Sequence, residues 1–184
     1  MKQFANQGNN LTKLNWDLSK PETWNGIQWI YANNEYYVQE ISISDLSLTG
    51  NLNISGMEHL IRVFCDNNNL TAIDVSGSNR LSGLYCRNAG IRNLNISNTA
   101  SLTVLDCEEN YLNLSDIIAD IYIIETRENA WVSYINQKLL YDFVLTTPGL
   151  IYDETSQELI LDTIQFTAEL TCPQFVGQFT SFLK

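Results

Sequence analysis

The chain has 184 residues, 45% of them apolar and 11% aromatic, enough to bury one substantial core and incompatible with a disordered composition. Its 21 acidic residues against 10 basic ones give a formal charge of -11, which repels nucleic acid phosphates and anionic lipid headgroups, so neither is an expected partner. No run of about 18 consecutive apolar residues occurs and the N-terminal "MKQFANQGNNLTKLNW" lacks the apolar stretch of a signal peptide, so the chain reads as soluble, without membrane insertion. A segment cut from a longer exported protein would lose both signal and anchor, which leaves localisation open.

In chain order, residues 1–37 read as an N-terminal cap. The stretch "LTKLNWDLSKPETWNGIQWIYANNEYY" (11–37) concentrates Trp and Tyr, and "IQWIYANNEYYVQEIS" predicts two strands around an Asn-rich turn. Trp16, Trp24 and Trp29 are expected to pack inside that cap. The rival reading is a carbohydrate platform of exposed tryptophans.

Residues 38–114 are organised by a repeat. Cys65, Cys86 and Cys107 fall 21 residues apart within "LIRVFCDNNNLTAIDVSGSNR" (60–80), "LSGLYCRNAGIRNLNISNTAS" (81–101) and "LTVLDCEENYLNLSD" (from 102). The shared frame is L-x-x-L-x-C-x-x-N-x-L-x-x-I-x-V. An earlier copy, "VQEISISDLSLTGNLNISGMEH" (38–59), is one residue longer and carries Ile43 at the cysteine position, making roughly four repeats. Val63 and Cys65 alternate with Arg62, Phe64 and Asp66, so a strand turns the first set inward and the second outward. A second inward set follows, Leu70, Ile73 and Val75 and then Ile91, Leu94 and Ile96. Each such aliphatic contributes about 1.5–3 kcal/mol when fully buried, and one coil alone cannot cover both of its faces.

This frame resembles the leucine-rich repeats of bacterial surface proteins, and its 21-residue cysteine form is similar to the repeats of some internalin-type proteins. "W-N-G-I-x-W" also resembles the N-terminal flank of several leucine-rich-repeat proteins. The resemblance implies an α/β fold: a short solenoid with a parallel sheet on its concave face. It further implies recognition of a protein, with a host or cell-surface ligand as the partner class, and a secreted or cell-surface setting if the chain belongs to a longer protein. Asn68 and Asn110 sit where such repeats bond neighbouring coils through a buried amide. Ala89 and Leu46 interrupt that ladder, leaving Asn88 or a water to substitute.

Residues 115–184 read as a mixed helix and strand C-terminal cap. Ile117, Ile121 and Ile124 have helical spacing behind Ser115 as N-cap, "WVSYINQ" alternates as a strand, and "GLIYDETSQELILDTIQFTAEL" predicts a hairpin turning near Asp153–Ser156.

Chemistry is sparse. There is no C-x-x-C and His59 is the only histidine, so no zinc set assembles, and the aligned cysteines read as small buried hydrophobes. His59 sits at a turn between coils, where a solvated side chain is expected, and the acid pairs at 108–109 and 153–154 lack calcium-ligand spacing. Neither catalysis nor a cofactor is expected. The triplets at Asn53, Asn95 and Asn113 arise from the repeat's own N-[IL]-S phrase. The outward column Ser42, Phe64, Tyr85, Asp106 is more informative, because two aromatics flanked by Arg62 and Arg87 have the composition of a protein-binding hot spot. The expected binding set is therefore Arg62, Phe64, Asp66, Tyr85, Arg87, Asp106 and Glu108. Alternatives are a structural or adhesive segment of a larger cell-surface protein, and glycan binding through the Trp-rich region.

Overall fold

A computed structural model describes residues 1–134 and 136–138, together with the backbone of 150–153 and 158–161. In chain order the elements are α1 (Lys2–Ala5), α2 (Asn10–Leu14), β1 (Ile27–Ala32), β2 (Glu35–Ser42), β3 (Thr49–Asn53), β4 (Arg62–Phe64), β5 (Asn69–Asp74), β6 (Gly83–Tyr85), β7 (Asn93–Asn95), β8 (Val104–Asp106), α3 (Ile118–Glu125), β9 (Trp131–Ser133), β10 (Leu150–Asp153) and β11 (Glu158–Leu161). The chain divides into two compact units, Met1–Lys138 and Leu139–Lys184.

The first unit is a β-solenoid of about three turns, each adding one strand to each of two parallel sheets. One sheet has the order β1-β2-β4-β6-β8-β9 and the other β3-β5-β7. All neighbours are parallel except β1 and β2, which form the hairpin that the sequence predicts, around left-handed Asn33 and Asn34. The second sheet is a feature that the repeat frame does not announce.

Registration of the strands turns the repeat into columns. Ile41, Val63, Leu84, Leu105 and Val132 pair in succession, and the first four have no solvent exposure. Ile43, Cys65, Cys86 and Cys107 stack behind them, and Leu52, Ile73 and Leu94 face them from the second sheet, all buried. This interior is the shared core that no single coil could close.

Each coil leaves the first sheet through a left-handed residue two places after the cysteine position: Asp45, Asn67, Asn88 and Glu109 have φ of 61, 52, 50 and 56°. Asn68 then bridges two coils. Its Nδ2 donates to the carbonyls of Ile43 and Cys65 at 2.9 Å each, and its Oδ1 accepts from the Leu48 N–H. Asn110 repeats this with Cys86, Cys107 and Ile91. Between them Ala89 offers no amide, and Asn88 does not replace it, since Asn88 bonds outward to Asn67. The Ala89 carbonyl itself accepts from Leu70 N–H at 2.8 Å. Gly90 permits that approach, because its φ of +83° and the Leu70 oxygen 3.2 Å from where a Cβ would stand both disfavour a side chain.

Where the coils enter the second sheet's far turns, Asn53, Asn95 and Asn113 each accept from the backbone N–H and the hydroxyl of the serine two residues on. Asp74 does the same for Ser76. An aspartate serving equally well gives the N-[IL]-S phrase a structural reason, a turn closed by a side-chain oxygen.

Both ends of the solenoid carry packing residues. At the N-terminal end, Gln7 and Asn10 act as surrogate peptide groups along the open edge of β3. Gln7 donates to Asn51 O and accepts from Asn51 N–H, and Asn10 does likewise with Thr49, all within 2.9 Å. Such pairing occupies an edge that could otherwise template another strand. Phe4, Leu14, Trp16 and Trp24 continue the core there.

At the other end the solenoid runs further than the cysteine repeat. A 3₁₀ turn at Leu114–Asp116, capped by Asn113 rather than by Ser115, leads into α3, whose buried Ile121 and Ile124 keep the predicted helical spacing. The chain then returns as β9, parallel to β8, with Asp106 opposite Ser133. Tyr134 thereby falls at the cysteine position and Asn136 takes the left-handed turn with φ 59°. Gln137 completes the ladder, donating to Cys107 O and Tyr134 O and accepting from Leu112 N–H. "WVSYINQ" is thus another copy of the strand and turn.

In the second unit β10 and β11 pair antiparallel, Asp153 opposite Glu158, as the predicted hairpin requires. Its turn residues 154–157, Cys172 and the final "CPQFVGQFTSFLK" lie outside the described residues.

Candidate functional site

The outward face of the first sheet presents three columns. The first holds Glu40, Arg62, Gly83, Val104 and Trp131, and the second Ser42, Phe64, Tyr85, Asp106 and Ser133. The third, one step past the strands, holds Ser44, Asp66, Arg87 and Glu108. At the centre Phe64 and Tyr85 stack with ring centroids 4.7 Å apart and planes 10° from parallel, both half-buried. The Tyr85 ring lies over Gly83, where an added Cβ would approach its Cε2 to 3.1 Å. A glycine two residues before the tyrosine is what lets the ring settle on the sheet.

Neither arginine is a free cation. Arg62 Nε donates to Glu40 at 2.7 Å. Arg87 is a hub whose guanidinium meets Asp106 at 3.6 Å, Glu109 at 3.3 Å and Glu108. Glu108 also accepts from Ser133 Oγ and is only 5% exposed, so it anchors Arg87 from beneath instead of standing on the open face. The pair Glu108 and Glu109 does not split to opposite sides as a strand would demand, because Glu109 has left the strand with a positive φ.

Asp66 and Asp106 differ from the other acids. Asp66 Oδ1 accepts from Arg87 N–H at 2.8 Å, and its other oxygen has only a 3.4 Å contact with Ser44 Oγ. Desolvation, with a smaller contribution from the negative charge of Asp106, pushes the Asp66 carboxyl up despite these bonds. Desolvation raises Asp106 as well, opposed by Arg87. Two carboxylates beside a stacked aromatic pair are thus held at a cost to their charged forms.

Of the residues expected from sequence, Phe64, Tyr85, Asp66, Arg87 and Asp106 come together, Arg62 flanks them, and Glu108 supports them from below. Sequence reasoning missed Ser133 and Trp131, the latter 51% exposed at the end of the first column. Aligning "WVSYINQ" on "VLDCEEN", with Tyr for Cys and Gln for Asn, would have placed both.

The remaining chemistry-bearing residues are held mainly by packing, and Trp29 Nε1 is buried without a hydrogen-bond partner among the described residues. Cys65, Cys86 and Cys107 are free thiols with no exposure, and burial pushes Cys107 up to about 12 and the other two well above the usual thiol range. Among the described residues no group of His, Cys, Asp and Glu is arranged to hold a metal ion, and no helix is long and apolar enough to cross a membrane. Trp16 and Trp24 stack at 4.4 Å, are buried, and donate their indole N–H groups to Asn25 O and Asp17 O, so they form no exposed platform. Only Trp29 of the three reaches an open groove, and His59 is not fully solvated, since its ring lies 4.0 Å from that of Tyr37. Comparison with protein-family models, with curated proteins and with solved structures finds no match to this chain.

Proposed function

We propose that the chain is a non-catalytic binding module of the leucine-rich-repeat type, taking a protein partner on the outward face of its first sheet. The observation that carries this reading is the half-exposed Phe64–Tyr85 stack at the middle of the face, between Arg62 on one side and Arg87 with its acids on the other. Aromatic and arginine anchors surrounded by polar groups are the usual composition of an interface centre. Since Arg62 has Glu40 beside it and three acids share Arg87, the surplus charge left for a partner is negative, and Asp66 stands outside those ion pairs. The partner surface that complements it is apolar at its centre and basic at its rim.

Replacing both rings, Phe64→Ala with Tyr85→Ala, is expected to weaken partner binding at least about tenfold, the scale of one or two hot-spot residues. Far-UV circular dichroism and the thermal midpoint serve as the folding control. Full binding by a correctly folded double variant would remove the assignment.

A further inference from the structure

A second candidate site lies away from that face, on the N-terminal hairpin. Trp29, Tyr36 and Tyr37 of β1 and β2 join Met57, Glu58 and His59 of the first turn between coils to line a groove of about 310 Å³. We propose that this groove binds a quaternary ammonium group, as carried by choline and related small cations.

The lining has the two properties such a group selects. Most of its wall is aromatic or apolar, with Val38 beside the rings, so an alkylated cation loses little by leaving water there. Its charge is negative: Glu58 is the one carboxylate in the lining, Glu35 accepts from the Tyr37 hydroxyl at 3.0 Å, and no lysine or arginine lines the groove. The electrostatic reach of both acids is visible at Tyr37, whose phenol is pushed up first by the hydrogen bond to Glu35, then by desolvation and the charges of Glu35 and Glu58. Within the lining the rings of Tyr37 and His59 lie 4.0 Å apart at 32° to each other, an uneven wall unlike the level platform on which the flat face of a sugar stacks.

The test uses the full chain at constant ionic strength, with choline chloride as probe and its uncharged isostere 3,3-dimethyl-1-butanol as control, followed by tryptophan fluorescence and by ligand-observed NMR. Saturable choline binding is expected, with the alcohol at least about tenfold weaker because it lacks the cation–π attraction. Glu58→Gln keeps the shape of an exposed side chain and is expected to weaken choline about fivefold through the lost charge, with circular dichroism unchanged. Tyr37→Ala is expected to abolish binding. Equal affinity for choline and the alcohol, an undiminished Glu58→Gln variant, or no saturable choline binding would each overturn the proposal. A response to a neutral sugar panel in place of choline would overturn it in favour of a glycan.

Discussion

The turns built on Cys65 and Cys86 and the turn that ends at Gln137 perform the same task with different residues. In the regular turns the inward position is a cysteine and the bridging amide, where present, is an asparagine three residues later. In the last turn a helix replaces the second-sheet strand, 27 residues separate Cys107 from Tyr134, and a glutamine reaches the carbonyls that an asparagine reaches elsewhere. Conserved between them are a parallel register, a left-handed turn residue and an amide satisfying buried backbone groups. The geometry of the coil is what is kept, and residue identity follows from how much space each turn leaves.

The amide ladder offers the largest effect with which to break that equivalence. Asn110→Ala leaves the Ile91 N–H and the Cys86 carbonyl buried and unpaired, while the Cys107 carbonyl keeps Gln137, and the change is expected to cost about 2–4 kcal/mol in chemical denaturation. Gln137→Ala removes the same kind of bonds from a half-buried site and is expected to cost about 1–2 kcal/mol. A loss at Gln137 as small as at an exposed polar residue would mean that the last turn only leans on the solenoid.

The thiol column gives an alkaline signature of intermediate size. The folded thiols hold their protons to higher pH than the unfolded ones, Cys107 to about 12 against an ordinary value of 9.0, so above pH 9 the unfolded state releases protons first. Stability is therefore expected to be fully present below that point and to fall as pH rises from 9 toward 12. Replacing Cys107 with Ala is expected to flatten the fall. At neutral pH a bulky thiol reagent should label Cys65, Cys86 and Cys107 only as fast as the chain opens.

Asp66 sharpens the contrast between core and face at the smallest stability cost. Its carboxyl is raised in the folded state, so the charged form is disfavoured there and protonation stabilises the fold as pH drops through the folded value. Asp66→Asn is expected to leave the denaturation midpoint within about 0.5 kcal/mol of wild type, or above it, while weakening a basic partner. Clear destabilisation would make Asp66 a structural residue.

Much of the solenoid was legible in sequence, because a gapless repeat writes its inward columns directly as Leu, Ile, Val and Cys. The hairpin of β1 and β2 was legible from its Asn-rich turn between two strand segments, and α3 from the helical spacing of Ile117, Ile121 and Ile124. The segment of β9 was legible as a strand but not as a further coil of the repeat, since the helix lengthened the turn and Tyr134 and Gln137 took the places of Cys and Asn. Nor were Gln7 and Asn10 readable as edge caps, because their partners, Asn51 and Thr49, stand about forty positions away and no local pattern marks such a pairing. On the candidate face the columns could be read off the repeat. The engagement of Arg87 by three acids could not, because it depends on Glu109 turning out of the strand.

The central claim is that the aromatic pair on the outward face, not the thiol column one residue further on, carries the function. It is tested most directly by immobilising wild type, the Phe64→Ala/Tyr85→Ala variant and a Cys86→Ala variant, and quantifying what each captures from the native source. The double variant is expected to lose the specific partner while Cys86→Ala, though less stable, retains it. Retention by the folded double variant together with loss by a folded Cys86→Ala chain would contradict it.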